Sequence, residues 1–199
     1  MNFLSFDSAT SSPSVSIFID DKHIDTIVRE GMSSSILPSI TNEILIKNKL
    51  RVQELDYIAI TIGPGSFTGL RVGLSLAQGL AYSADLSIAS INFLDVLISK
   101  VGTKKSGIVG LYSHRNFIFS KDTSNSNSTK LLDINDFKGK EVYGLGLEKF
   151  NDIIIYNKLV CSSRDIGEYS ILNYKKIISS NIASIKPIYL NEHKIISKV

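Results

Sequence analysis

The sequence predicts an α/β protein whose first hundred residues run in the order βββαβαβα and form a mixed sheet. Val15, Ile17 and Ile19 alternate with other residues in period two, which is typical of a strand. Apolar side chains between 36 and 45 share one helical face. An apolar run over 57–62 ends at a glycine-proline-glycine break and gives way to helical spacing. Strand, turn and helix signals therefore alternate along this half.

Each element of the first half has its own local signal. A short apolar run predicts the first strand, a cluster of turn formers over 7–13 leads into the second, and Asp20-Asp21 turns the chain into the third. Ser33 to Ser35 are expected to cap the first helix, with Pro38 in its first turn. The strands are predicted at 2–6, 14–19, 24–28, 57–62 and 87–91, and the helices at 33–47, 67–82 and 92–100.

The second half has weaker signals and is predicted to form a smaller, trimmed α/β lobe. A polar segment at 122–129 predicts an exposed loop. Strands are expected at 107–111, 117–120, 142–147 and 152–156, and a helix at 165–179. We place the boundary near 100–106, which divides the chain into lobes 1–103 and 104–199.

Composition excludes several classes of protein. The chain has 199 residues, of which 43% are hydrophobic and 21% charged, as in ordinary globular proteins. A single cysteine, Cys161, excludes a disulfide framework and a multi-cysteine metal cluster. No apolar run reaches the roughly 18 residues that span a bilayer. Asp7 interrupts the stretch that a signal peptide would need. These features predict a cytoplasmic protein without a membrane partner.

The net charge of +3 conceals an asymmetry between the two halves. Residues 1–100 carry a net charge of −3 and residues 101–199 a net charge of +6. A basic half can contact nucleic acid. The alternative is that its lysines only keep a less regular half in solution. The densest set is the C-terminal one, which comprises Lys175, Lys176, Lys186, Lys194 and Lys198.

The glycine-rich segment 63–73 is the most informative stretch of the sequence. A glycine turn between a strand and a helix N-terminus can bind phosphate through backbone N–H groups. The Walker pattern requires a lysine that this segment lacks, and the dinucleotide pattern requires its third glycine one residue earlier than Gly69. The structural alternative is that Ser66 or Thr68 caps the helix while Gly63 and Gly65 shape the turn.

Small residues recur every four positions along the helix that follows. Gly69, Gly73 and Ala77 therefore form one stripe, although a glycine within a helix costs about 0.5–1 kcal/mol relative to alanine. We expect the close approach of another helix to offset this cost. Apolar residues on further faces, among them Phe67, Leu70, Leu76 and Leu80, predict burial on both sides of the helix.

The segment 63–73 with Ala77-Gln78-Gly79-Leu80-Ala81 resembles the signature of the TsaB (YeaZ) family. The opening Leu4-Ser5-Phe6-Asp7-Ser8-Ala9-Thr10 resembles the family's first strand and turn, and Ser33 to Pro38 its first helix entry. The similarity is dense over 1–98. Beyond that, only Arg115, Gly144-x-Gly146 and a C-terminal strand at 187–190 match. Met32-Ser33 replaces a His-Ser pair, and Ser113-His114-Arg115 replaces Asp-Ala-Arg.

The resemblance implies an actin-like (ASKHA, ribonuclease-H-like) fold and a non-catalytic subunit of tRNA threonylcarbamoyladenosine synthesis. It implies a heterodimer with the catalytic paralogue TsaD through helices 33–47 and 67–82, an ATPase partner TsaE, and access to tRNA through the complex. No cofactor of its own is implied, and ATP or ADP would belong to the partner complex. Whether the free chain pairs with a second copy is left open. The expected interface residues are Ile36, Ile40, Phe67, Gly69, Leu70, Gly73, Leu76, Ala77 and Leu80.

Other functions remain as alternatives. Asp7, Ser8 and Thr10 stand where actin-like ATPases hold magnesium, so a nucleotide or magnesium remnant there, and with it an ATPase or small-molecule kinase, is the second hypothesis. Against it, the same side chains form an Asx-type turn. His23, His114 and His193 are too scattered for a metal site. A peptidase is disfavoured because no G-x-S-x-G motif exists.

Overall fold

The computed structural model describes residues 1–102, 107–123 and 128–190. Two sheets and four helices make up this part of the chain. The strands β1 to β11 span Phe3–Asp7, Ser14–Ile19, Lys22–Val28, Tyr57–Gly63, Ser87–Asn92, Ile108–His114, Phe117–Asp122, Lys130–Asp133, Glu141–Leu145, Ile155–Lys158 and Ile178–Ser179. The helices α1 to α4 span Ser33–Lys47, Phe67–Ala84, Phe93–Val101 and Ser163–Ile177.

The first sheet confirms the predicted order βββαβαβα. Its six strands lie in the order β11-β5-β4-β1-β2-β3. β1 pairs antiparallel with β2 and parallel with β4, which in turn is parallel to β5. The sheet is therefore mixed, as the hairpins and the strand–helix alternation predicted.

Both faces of the first sheet are covered by helices. On one face, α1 packs over β2 and β3 while α2 packs over β4 and β5, and together they bury side chains such as Leu37, Ile40 and Leu74. On the other face, α4 packs over an aromatic stack in which the Phe3 ring lies 4.5 Å from Phe18 and 4.3 Å from Tyr57, centroid to centroid. Burying these aromatic rings supplies much of the apolar area removed from water on this face.

The second sheet lies in the order β10-β9-β6-β7-β8 and is joined to the first through α3. Leu94 and Leu97 of α3 pack with Val109 and Tyr143 of the second sheet. The ammonium of Lys121 on β7 lies 2.5 Å from the Asp95 carboxylate on α3. α4 and β11 follow this sheet in sequence yet pack on the first one. The lobe boundary at 103/104 stays a prediction.

Local details differ from expectation at several places. The strand expected at 152–156 lies at Ile155–Lys158, and β8 and β11 were not predicted. α1 begins after Met32, which makes no side-chain cap bond, and Pro38 is its sixth residue rather than part of the first turn. The proline is tolerated because its ring and Ser34, whose carbonyl it leaves unbonded, are both exposed to solvent. Residues 187–190 form no strand, although the Ile188 N–H donates to the Ile62 carbonyl at 2.7 Å.

Some predicted features fall outside the described residues. These are the centre of the polar segment at 124–127 and the lobe junction at 103–106. The side chains of His193, Lys194 and Lys198 also lie outside the described residues.

Candidate functional site

Asp7, the last residue of β1, accepts hydrogen bonds from the turn that follows the strand. One carboxylate oxygen of Asp7 accepts the Ala9 N–H at 2.9 Å, and the other accepts the Thr10 hydroxyl at 2.9 Å. This is the Asx-type turn that the sequence offered as the alternative to a magnesium site. The side chain is wholly buried, and burial raises the pKa of Asp7 to about 6. Ser8 is also buried, and Thr10 borders a cleft.

The glycine-rich loop is closed by the same turn. The Ser66 N–H donates to the Ala9 carbonyl at 2.8 Å, and the Ser66 hydroxyl accepts the Gly69 N–H at 3.2 Å. The predicted cap by Ser66 is therefore confirmed. A Cβ on Gly65 would lie 2.6 Å from the Ala9 Cβ. Two of the N–H groups that a phosphate would use at this helix end are thus bonded within the chain.

The stripe of Gly69, Gly73 and Ala77 faces inward, so the prediction that it meets a partner helix is wrong. A Cβ on Gly69 would overlap the Ser8 carbonyl oxygen, and a Cβ on Gly73 would overlap the Ser8 side chain. All three stripe residues are buried within the chain. The glycines allow α2 to approach the turn after β1, and that close packing is the compensation for their low helix propensity.

The other expected interface residues differ in how far they are buried. Ile40 and Leu70 are buried in the core, while Ile36, Leu76 and Leu80 are half-buried against it. Phe67 is 55% exposed and lies beside the cleft.

The outward face of α2 carries residues that the sequence analysis did not select. Ser75 and Gly79 are exposed, and Tyr82 is 84% exposed. A Cβ on Gly79 would find nothing within 4 Å. Gly79 therefore lowers the helix propensity of α2 without allowing a close packing contact in the described part of the chain. Ser75, Gly79 and Tyr82 are called the outer face of α2 below.

A cleft of about 1130 Å³ separates the loops of the first sheet from the second sheet. Its wall mixes hydroxyl groups with aromatic and aliphatic side chains, among them Thr10, Ser12, Tyr112, Phe119, Lys158 and Cys161. Burial raises the pKa of the Cys161 thiol, so the group stays neutral and unreactive. Cys161 also packs against two of the apolar clusters, which makes it a packing residue.

The C-terminal segment crosses α2 and lines the cleft with Ile188, Tyr189 and Leu190. Gln78 donates to the Ile182 carbonyl at 2.8 Å, and the Arg71 Nε donates to the Tyr189 hydroxyl at 2.7 Å. The Arg71 guanidinium also lies 3.9 Å from the centre of the Phe67 ring. Gly63 has a φ of 129°, and a Cβ there would lie 2.7 Å from the Ile188 carbonyl oxygen. The contacts of Gln78, Arg71 and Gly63 with the C-terminal segment join residues more than a hundred positions apart, so no local pattern predicted them.

The described residues include neither a cluster of metal ligands nor a membrane-spanning helix. Among residues 1–102, 107–123 and 128–190, no group of three His, Cys, Asp or Glu side chains is placed to hold a metal ion. None of the helices in these ranges is both long and apolar enough to cross a membrane.

Known proteins match this chain in sequence and in fold. The family described as TsaD, tRNA N6-adenosine threonylcarbamoyltransferase, matches residues 30–119. TsaB of Haemophilus influenzae is 37% identical over 99 residues, which is 49% of this chain and 42% of that protein. TsaB of Buchnera aphidicola from Acyrthosiphon pisum is 32% identical over 132 residues, or 63% and 59%. The resemblance to the TsaB (YeaZ) family is thereby confirmed.

Solved structures extend the similarity to the whole fold. A Pseudomonas aeruginosa protein described as similar to peptidase YeaZ superposes with a TM-score of 0.79 at 15% identity, covering 96% of this chain and 99% of that one. YeaZ of the same organism gives 0.77. The actin-like fold is confirmed. In sequence, the chain spans between about two fifths and three fifths of the TsaB relatives described above.

Proposed function

We propose that the chain is a non-catalytic subunit in the synthesis of threonylcarbamoyladenosine in tRNA. The names of its TsaB relatives support the pathway. The modified adenosine lies 3′ of the anticodon in tRNAs that read ANN codons. The observation that carries the non-catalytic role is the Asp7 turn, because the carboxylate that an actin-like ATPase would offer to magnesium is buried and bonded to Ala9 and Thr10.

The proposal includes a catalytic paralogue of the TsaD type as partner, with a TsaE-type ATPase completing the complex. A tRNA N6-adenosine threonylcarbamoyltransferase of Sulfurisphaera tokodaii is 30% identical to this chain over 110 residues. The outer face of α2 supports a close contact, because Gly79 costs about 1 kcal/mol of helix stability and no described residue lies beside it. We propose that a helix of the partner packs against this face, and that any nucleotide is held by the complex.

Depleting the protein tests the pathway directly. We expect threonylcarbamoyladenosine in bulk tRNA to fall in proportion to the protein, as measured by mass spectrometry of digested nucleosides. Pseudouridine in the same digests serves as the control and should stay constant. An unchanged threonylcarbamoyladenosine level after full depletion would contradict the proposed function.

The partner face is tested by Gly79→Arg. An arginine side chain there projects into open space, so the chain should keep its cooperative melting transition, yet a partner helix could no longer approach. We expect at least a tenfold loss of co-purification with the TsaD-type paralogue and no rescue of the depleted strain. Gly79→Ala is the matched control and should bind and rescue normally. Light scattering of both variants also shows whether a homodimer uses this face.

The second hypothesis, an ATPase or kinase that uses Asp7, Ser8 and Thr10, is favoured by the volume of the cleft beside Thr10. Titrating the purified chain with ATP, with and without magnesium, separates the two functions. The subunit proposal expects no magnesium-dependent binding by the isolated chain and no modified nucleoside from ATP, threonine, bicarbonate and tRNA.

A further inference from the structure

The hairpin between β6 and β7 presents an arginine in a fixed position. Arg115 is exposed at the turn, and its φ of 49° lies in the left-handed region. For a residue other than glycine this conformation is unfavourable, because the Cβ comes too close to the following carbonyl oxygen. The Lys149 ammonium donates to the Arg115 carbonyl at 2.8 Å and so helps to hold the turn. Strained residues of this kind concentrate at functional positions.

Lys149 is itself fixed beside aromatic rings. Its ammonium nitrogen lies 4.1 Å from the centre of the Tyr112 ring and 4.7 Å from that of Phe150, and it donates to the Tyr112 hydroxyl at 3.0 Å. An ammonium group has three N–H donors, of which these bonds use two. The third N–H of this exposed residue remains for an external acceptor.

Neither cation is neutralised by its surroundings. Within the ranges 1–102, 107–123 and 128–190, no carboxylate forms an ion pair with Arg115 or Lys149. The carboxylate of Glu148, next to Lys149 in sequence, is paired with Lys158 at 3.1 Å. Beside the cations, the His114 and Phe117 rings stack with their centroids 5.5 Å apart. The hairpin tip therefore carries, among the described residues, two unpaired cations beside flat rings.

We propose that the hairpin tip, made of Tyr112, His114, Arg115, Phe117 and Lys149, binds the phosphodiester backbone of RNA. This rests on the proposed function, which makes tRNA the substrate of the complex. Fixed cations that lack carboxylate partners attract phosphates, and rings beside them offer stacking surfaces to unpaired bases. An acidic peptide would form ion pairs with the cations but would not stack on the rings. RNA can interact with both the cations and the rings, so it is the ligand that fits the tip better.

The test is the binding of unmodified tRNA transcript to the purified chain, measured by fluorescence anisotropy. The salt concentration is varied from roughly 0.05 to 0.3 M, a range over which phosphate contacts weaken measurably. We expect Arg115→Gln and Lys149→Gln each to lower the association constant roughly fivefold to tenfold at about 0.1 M salt. Each should also reduce the salt-dependence slope by about 0.7–0.9, which corresponds to one lost phosphate contact.

Lys140→Gln is the matched control. Lys140 is also exposed, also lies over an aromatic ring, that of Phe137 at 5.7 Å, and also donates to a backbone carbonyl, that of Asp136 at 3.2 Å. Because it lies away from the hairpin tip in sequence and in its contacts, this variant should bind tRNA like the parent. Melting temperatures of all three variants confirm that each is folded. Arg115→Gln removes no side-chain hydrogen bond or ion pair among the described residues, so it keeps the test valid if Lys149→Gln is unstable.

Several outcomes overturn the proposal. They are no tRNA binding by the parent chain at the lowest salt, equal losses in Lys140→Gln, or no loss in Arg115→Gln. Displacement of tRNA by polyglutamate or by inorganic phosphate as efficiently as by unlabelled tRNA would assign the tip to an acidic peptide or a free anion. If depletion removes the modified nucleoside while these variants bind normally, only the RNA surface is wrong. If depletion changes nothing, the proposed function fails independently.

Discussion

Gly73→Leu is expected to unfold the protein at a much lower denaturant concentration than the parent. The new Cβ overlaps the buried Ser8 side chain and lies 3.3 Å from the Ile60 methyl group, so the rest of the leucine has no space. Overpacking a core of this kind costs about 1–3 kcal/mol, and more where backbone must move. We expect a loss near or above about 3 kcal/mol in the free energy of unfolding, measured by urea titration.

Gly79→Leu is the control for this prediction because it makes the same change on the opposite face of α2. The site has open space and a helical backbone, so the substitution should raise the free energy of unfolding by up to about 1 kcal/mol through helix propensity alone. Opposite signs at 73 and 79 would establish which side of the helix is internal. A stable Gly73→Leu variant would instead mean that the turn after β1 lies further from α2.

The second large effect is a pH dependence located at Asp7. Burial raises the pKa of this carboxyl to about 6, whereas in the unfolded chain it is about 3.9. The folded protein therefore holds the proton more tightly, so this contribution to stability is complete below the unfolded pKa and is lost as the pH rises through about 6. The difference corresponds to roughly 3 kcal/mol between pH 3.5 and pH 7.5.

Asp7→Asn should remove this dependence. An amide can still accept the Ala9 N–H and can donate to the Thr10 hydroxyl oxygen, so the turn is kept without a charge to bury. We expect the variant to be more stable than the parent at pH 7.5 and similar to it near pH 4, by urea titration at each pH. The exposed Asp20→Asn is the control and should follow the parent.

The same variant also separates the two functional hypotheses. A turn-forming Asp7 predicts that Asp7→Asn supports normal threonylcarbamoyladenosine levels in cells. Complete loss of the modification, with protein level and partner binding unchanged, would show that the carboxylate holds magnesium and nucleotide.

Local patterns predicted the first half of the fold because each signal there is satisfied within a few residues. Period-two alternation marked Ser14–Ile19, and the serine before Phe67 capped α2 as expected. The resemblance rested on the same region. The four-residue spacing of Gly69 and Gly73 also identified a close approach correctly, but spacing cannot say which surface approaches. That depended on the turn at Ser8, sixty positions away.

The candidate site was less predictable because the side chains around it come from distant parts of the chain. Arg71 and Tyr189 meet across 118 positions, and Lys149 reaches Arg115 across 34. Neither pair has a spacing or composition signal. Among the residues chosen from sequence, Asp7 was found because a polar cluster directly after a strand is a local pattern, and its Asx-type alternative was equally local.

The position of α4 has a consequence for the protein while it is being synthesised. The aromatic stack of Phe3, Phe18 and Tyr57 is complete once the first five strands exist, but its cover is a helix that begins at Ser163. At about 5–20 residues per second, the ribosome needs roughly 4 to 14 seconds to make the intervening 70 or so residues. During that interval one aromatic face of the nascent sheet is exposed to solvent, and exposed apolar surfaces of this kind are what chaperones bind.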